Sequence, residues 1–146
     1  MVLKIDNLTK TYRNGRGIKN VSFEVNEGDI FGLLGPNGSG KTTTMKIITG
    51  LSRADRGTVK ILDKSIEDDG EKSMKQVGCL VEVPAVYEYL SARKNLELAS
   101  VYYPNLKAPR IEEILRQTGL FEYQNDKARE YSLGMKQRLG LALALL

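Results

Sequence analysis

The sequence predicts an α/β fold with a parallel core sheet around one buried strand, an antiparallel β subdomain near the N-terminus and an α-helical subdomain from about residue 84. Three observations predict it. Strand-period alternation fills the beginning of the chain, a compact apolar run at residues 29–34 leads through a glycine-rich loop into a helical pattern, and beyond Pro84 the apolar period becomes helical.

Residues 2–12 alternate, with Leu3 and Ile5 on one face, and Val21, Phe23 and Val25 repeat the period of two before a turn at Asn26, Glu27 and Gly28. Residues 29–34 read as a buried strand that feeds the loop 35–40. From Lys41 the spacing is helical, Ile47 and Ile48 following Thr44, and Gly50 stands where a helix C-cap is expected. Residues 58–62, after Gly57, form a β-branched strand, and residues 77–81 a short apolar one before Pro84. Between these two lies a polar stretch with the acidic run Glu67, Asp68, Asp69. In the C-terminal half, Ile111, Ile114 and Leu115 mark a helix opened by Pro109 and closed by Gly119. The expected division is residues 1–83 for the loop-bearing core with its β subdomain and residues 84–146 for the helical part.

Composition narrows the function. A chain of 146 residues with 41% hydrophobic and 27% charged residues has the balance of a folded domain. A net charge of +4, with the charges scattered, is too mild to argue for nucleic acid. One cysteine, Cys79, cannot form an internal disulfide, and the lack of histidine removes zinc sites and Ser/His catalysis. Residues 1–10 alternate rather than form a leader, and no apolar run approaches the ~18 residues of a membrane span. A cytoplasmic location follows as the expectation, with any link to a membrane made through a partner.

The string Gly35-Pro36-Asn37-Gly38-Ser39-Gly40-Lys41-Thr42 satisfies G-x-x-x-x-G-K-S/T, and it falls between an apolar run and a helical pattern, where the mechanism needs it. Its glycines let successive N–H groups turn inward as an anion nest, to which the helix N-terminus adds positive potential. Lys41 is placed to meet the β- and γ-phosphates of ATP, and the Thr42 hydroxyl to complete the shell of Mg²⁺. Thr43 adds a further phosphate contact. A chance glycine-rich turn ahead of a helix is the alternative, and roughly one chain of this length in a few hundred would carry the string.

A second string, Tyr131-Ser132-Leu133-Gly134-Met135-Lys136-Gln137-Arg138, lies near the C-terminus. With it, the chain resembles from end to end the ATP-binding cassette (ABC) ATPases, of the bacitracin-resistance and lantibiotic-immunity exporter type; their fold is the P-loop NTPase fold. The second string is similar to the family signature LSGGQ, although Leu133 replaces its first glycine and Met135 and Lys136 precede Gln137. The resemblance implies that Ser132, Gly134 and the helix they open bind the γ-phosphate of a nucleotide held by a second ATPase subunit, in a homodimer or heterodimer. It implies that Tyr12 stacks on adenine, against simple packing at a strand end. Glu82 falls where the family has its Q-loop glutamine, so it either contacts Mg²⁺ and the attacking water or is a surface-loop charge. The segment between Glu82 and Ser132 corresponds to the helical subdomain that meets a membrane permease.

The same resemblance implies that the chain stops before the family's Walker B strand and catalytic glutamate, so the 146 residues are expected to bind ATP without turning it over. The expected function is ATP-driven export of a substrate such as a peptide antibiotic or drug through a permease, at the inner face of the cell membrane. An ABC ATPase acting on ribosomes or DNA is the alternative. A guanine-specific enzyme is disfavoured because no Asn-Lys-x-Asp loop is present.

Overall fold

The computed structural model describes residues 1–68, 70–107 and 109–146, so Asp69 of the acidic run lies outside the described residues. The chain falls into two units, Met1–Val77 and Gly78–Leu146.

In the first unit the N-terminal alternation forms β1 (Leu3–Thr11), paired antiparallel with β2 (Gly17–Val25), so that Ile5 faces Phe23. On the other edge of β1 lies β3 (Arg56–Ile61), with Ile5 opposite Val59, and a two-residue turn leads to β4 (Lys64–Ser65). The sheet order is β2-β1-β3-β4. The period of two is broken once: Ile5 and Leu8 are both buried although three residues apart. A bulge explains this, because the register shifts on both sides of β1 there and Asn7 takes φ 49°. Gly57 of β3 meets the bulge so closely that a Cβ would stand 2.5 Å from the Asp6 and Asn7 carbonyl oxygens. No other residue fits.

Helix α1 (Lys41–Ile48) buries Thr44, Ile47 and Ile48, and the two isoleucines join Ile5, Leu8, Ile18, Val59 and Ile61 in one apolar core. Gly50 follows its C-cap at φ 71° and donates to the Ile47 carbonyl at 3.0 Å, as the sequence predicts. A short helix α2 (Gly70–Met74) closes the unit.

Two predicted strands are not formed. Residues 29–34 and 77–81 carry no strand, and every described strand pair is antiparallel. Ile30 and Leu34 are 103% and 91% exposed, so these two apolar side chains are left without packing. A strand exists only where another segment accepts its N–H and C=O groups, and among the described residues none pairs with either segment. Phe31 does find a neighbour: its ring stacks on Phe23 at 4.6 Å between centroids.

The second unit packs α3 (Ala92–Ser100), α4 (Arg110–Gln117) and α5 (Leu133–Ala144) around fully buried Leu96, Ile114, Leu115, Leu120 and Leu139. Burial of each such side chain contributes about 1.5–3 kcal/mol. Pro109 opens α4, and Gly119 ends it at φ 65° with its N–H on the Arg116 carbonyl. Tyr131 is buried beneath the start of α5 and donates its hydroxyl to the Tyr123 carbonyl at 2.6 Å. Burial, reinforced by the Asp126 carboxylate, pushes this phenol up to about 12.

Two glycines press the segment 78–84 onto α5. A Cβ on Gly78 would stand 1.7 Å from the Ala144 carbonyl oxygen, and one on Gly140 would stand 2.7 Å from the Pro84 ring carbons. At Gly78 main chain meets main chain, and at Gly140 the Pro84 ring and Leu80 Cδ1 rest directly on the helix backbone.

Candidate functional site

The loop 35–40 is shaped by three glycines at positive φ: Gly35 at 156°, Gly38 at 84° and Gly40 at 95°. Gly40 is the N-cap of α1, and no side chain caps this helix, so its first N–H groups keep their donor capacity for a ligand. Ser39 donates its backbone N–H to the Pro36 carbonyl at 3.2 Å, which tightens the turn that carries Asn37 and Gly38. Lys41 Nζ donates to the Gly35 and Pro36 carbonyls, both at 2.8 Å, which folds the ammonium back over the loop. Gly40 also sets the loop against the sheet, since its Cβ would lie 2.2 Å from Ile18 Cγ2.

The loop forms one wall of a cleft of about 300 Å³ in the first unit, lined by Asn37, Gly38, Gly40, Lys41, Thr42 and Thr43. The opposite wall is the turn between β1 and β2, which contributes Tyr12, Asn14, Arg16 and Gly17. Tyr12 N–H donates to the Arg16 carbonyl at 2.7 Å, Gly15 N–H to the Tyr12 carbonyl at 2.9 Å and Arg16 N–H to Asn14 Oδ1 at 3.1 Å, so the turn is closed on itself. Asp55 supports it from behind: its carboxylate accepts from Thr11 N–H at 2.7 Å and from Lys10 Nζ at 2.9 Å. The Thr11 hydrogen bond, followed by the one from Lys10, holds this carboxyl below the usual carboxylate range.

Chemically the cleft suits a nucleoside phosphate. Its lining holds two cations, Arg16 and Lys41, and no carboxylate, beside an uncapped helix N-terminus and one aromatic ring, Tyr12, 39% exposed. Three of its backbone positions are glycines, whose missing Cβ atoms leave room for phosphate oxygens. Among the described residues no group of three or more Cys, Asp or Glu gathers to hold a metal alone. For a magnesium ion that keeps most of its waters, the Thr42 hydroxyl could serve as one protein ligand beside the phosphate oxygens. A larger hollow of about 570 Å³ in the same unit, lined by Leu8, Ile47, Val59, Ile66 and Met74 among others, contains no motif residue.

The remaining predicted site residues lie in the second unit. Ser132 is the N-cap of α5, and its Oγ accepts from Met135 N–H at 3.3 Å. Gly134 has nothing within 4 Å of where a Cβ would be, and Leu133 is 73% exposed, so the head of α5 presents an open backbone surface. Glu82 is exposed and takes φ 65°, a left-handed conformation that few non-glycine residues adopt, two residues before buried Pro84.

Three residues escaped the sequence reading. Arg16 and Asp55 act through the cleft turn. Asn95 is 3% exposed on α3, where its side chain accepts from Tyr87 N–H at 2.8 Å and donates to the Tyr87 and Ser91 carbonyls at 3.1 and 2.9 Å. An Asn on an otherwise apolar helix face is the signal that could have found it.

A phosphate cradle at a helix N-terminus, faced by an aromatic turn on an antiparallel sheet and joined to a helical unit, defines a nucleotide-binding domain of the P-loop kind. The chain belongs to the ABC transporter family, whose sequence profile matches residues 18–146. It is similar to the ABC transporter ATP-binding protein YhcH of Bacillus subtilis, 42% identical over 145 residues, which cover 99% of this chain and 48% of that protein. It is also similar to the bacitracin transport ATP-binding protein BcrA of Bacillus licheniformis, 37% identical over 99% of this chain and 47% of that protein. The chain thus spans about half the length of these curated relatives. Among solved structures, an ATP-binding subunit of an ABC transporter superposes with TM-score 0.84 at 30% identity, over 99% of this chain and 62% of that one. The dimeric, post-hydrolysis ATP-binding cassette MJ0796 bound to ADP and Pi superposes with TM-score 0.82 at 30% identity, over 97% of this chain and 68% of that one.

Proposed function

We propose that the chain is the nucleotide-binding part of an ABC transporter ATPase subunit, which couples ATP binding and hydrolysis to export of a substrate such as a peptide antibiotic or drug through a membrane permease. The observation that carries this reading is the cleft in which Lys41, the uncapped start of α1 and Tyr12 converge. Named transport proteins among the relatives, for bacitracin and for a lantibiotic, support it over an ATPase acting on ribosomes or DNA.

In this assignment Tyr12 stacks on adenine and the loop 35–40 takes the phosphates on its N–H groups. Lys41 releases the Gly35 and Pro36 carbonyls to neutralise the β- and γ-phosphates, and Thr43 adds a hydrogen bond. Mg²⁺, held by Thr42 and by Glu82, supplies charge neutralisation at the phosphates when bound. The left-handed backbone at Glu82 supports a functional role, since such conformations persist where the surroundings enforce them. Ser132 and Gly134 address the nucleotide of a second ATPase subunit. The functional division is residues 1–83 for nucleotide and residues 84–146 for the partner subunit and the permease, which places the protein at the inner face of the membrane.

The test is an ATP titration by calorimetry on the 146-residue chain and on Lys41→Ala. Binding that weakens at least several-fold in the variant is expected. Equal affinity of the two proteins would overturn the phosphate role of Lys41.

A further inference from the structure

We infer that Arg16 is a second phosphate-binding cation of the cleft, contacting the nucleotide from the turn that carries Tyr12. The inference deepens the nucleotide reading above and rests on it. Arg16 lines the cleft opposite Lys41, Thr42 and Thr43. Its position is fixed from three sides. Its carbonyl accepts from Tyr12 N–H at 2.7 Å, and its N–H donates to Asn14 Oδ1 at 3.1 Å. Two residues on, Ile18 is so close to the phosphate loop that a Cβ on Gly40 would overlap its Cγ2 at 2.2 Å.

Arg16 directly precedes β2 and lines the cleft beside Gly40, the glycine that Ile18 meets. Among the described residues its guanidinium makes no hydrogen bond, ion pair or ring contact with the protein. The Lys10 ammonium on the same side of the sheet is occupied by Asp55, and no carboxylate lines the cleft. An arginine held at the rim of an anion cradle, with no partner among the described residues, offers a planar fork of donors that matches two oxygens of a phosphate. Tyr12 on the same turn takes the base, which sets Arg16 against the phosphates nearest the nucleoside, while Lys41 holds those at the helix.

The experiment titrates ATP, ADP and adenosine into the 146-residue chain, Arg16→Gln and Arg16→Lys at two salt concentrations. Arg16→Gln should lose about tenfold in affinity for ATP and for ADP, with a shallower dependence on salt, and should bind adenosine as before. Arg16→Lys should recover part of the loss. The thermal midpoint of ligand-free Arg16→Gln should equal that of the unsubstituted chain, since the guanidinium holds no other described residue. ATP affinity within twofold of the unsubstituted chain would overturn the inference, as would an equal loss for adenosine, which would assign Arg16 to the base or to the turn. If the unsubstituted chain bound no ATP, the nucleotide reading itself would fall, and the Arg16 role with it.

Discussion

Gly40→Ala separates two demands that the phosphate loop makes on its glycines. At φ 95° an alanine enters left-handed territory, which costs roughly 1–2 kcal/mol. Its methyl would also stand 2.2 Å from Ile18 Cγ2. Ile18 is 7% exposed and packed in the core of Ile5, Leu8, Ile47 and Val59, so it cannot swing away, and overpacking of this kind costs about 1–3 kcal/mol. Together the substitution should destabilise the first unit by about 2–5 kcal/mol, a large share of the ~5–15 kcal/mol of a typical domain. Gly38→Ala is the control: its φ is 84°, but nothing lies within 4 Å of its Cβ, so only the backbone cost of about 1–2 kcal/mol applies. Urea unfolding followed by circular dichroism measures both. In the double variant Gly40→Ala/Ile18→Ala the overlap disappears, so the two changes should be non-additive by about 1–3 kcal/mol. Equal destabilisation at Gly40 and Gly38, or strict additivity in the cycle, would refute the contact as the cause.

Asn95→Ala should cost about 2–4 kcal/mol in the second unit and raise amide exchange at Tyr87, because the buried polar groups of residues 87–91 lose their partner. Asn95→Asp should cost at least as much, since a carboxylate cannot donate to the Tyr87 and Ser91 carbonyls. For Tyr131, whose pKa is raised in the fold to about 12 from 10.0, the stabilisation is present in full below pH ~10 and is lost as pH rises through ~12. Tyr131→Phe should remove that part of the alkaline decline, and parallel pH–stability curves for the two proteins would refute it.

Elements governed by local chemistry were legible in the sequence. The alternation of Leu3 and Ile5, the caps at Pro109, Gly119 and Ser132, and Gly50 after α1 all depend on residues within a turn or two of each other. The glycine-rich loop was legible for the same reason, and with it the donors that build the cradle. What could not be read depends on distant partners. The apolar run at residues 29–34 satisfies every local criterion for a buried strand, yet strand formation belongs to a pair, and its periodicity says nothing about the partner. Asp55 reaches the turn of Tyr12 from 44 residues away, and neither end carries a mark of the other. Arg16 looked like one scattered charge among many until the sheet brought it over the loop. The bulge at Asn7 hid in plain alternation, because only the close approach of Gly57 demands it.

The two glycine contacts that clamp residues 78–84 to α5 have a mechanical consequence. A contact made through a long side chain absorbs a displacement by changing rotamer, and the two elements it joins can drift apart by an ångström or more without strain. Between Gly78 and the Ala144 carbonyl two stretches of main chain bear directly on each other, and at Gly140 the Pro84 ring and Leu80 Cδ1 rest on the helix. Glu82 sits inside the clamped stretch and Ser132 at the far end of the clamped helix, about 12 Å along its axis from Gly140. A displacement of residues 78–84 at either contact therefore bears on α5 itself, with no long flexible side chain at Gly78 to take it up.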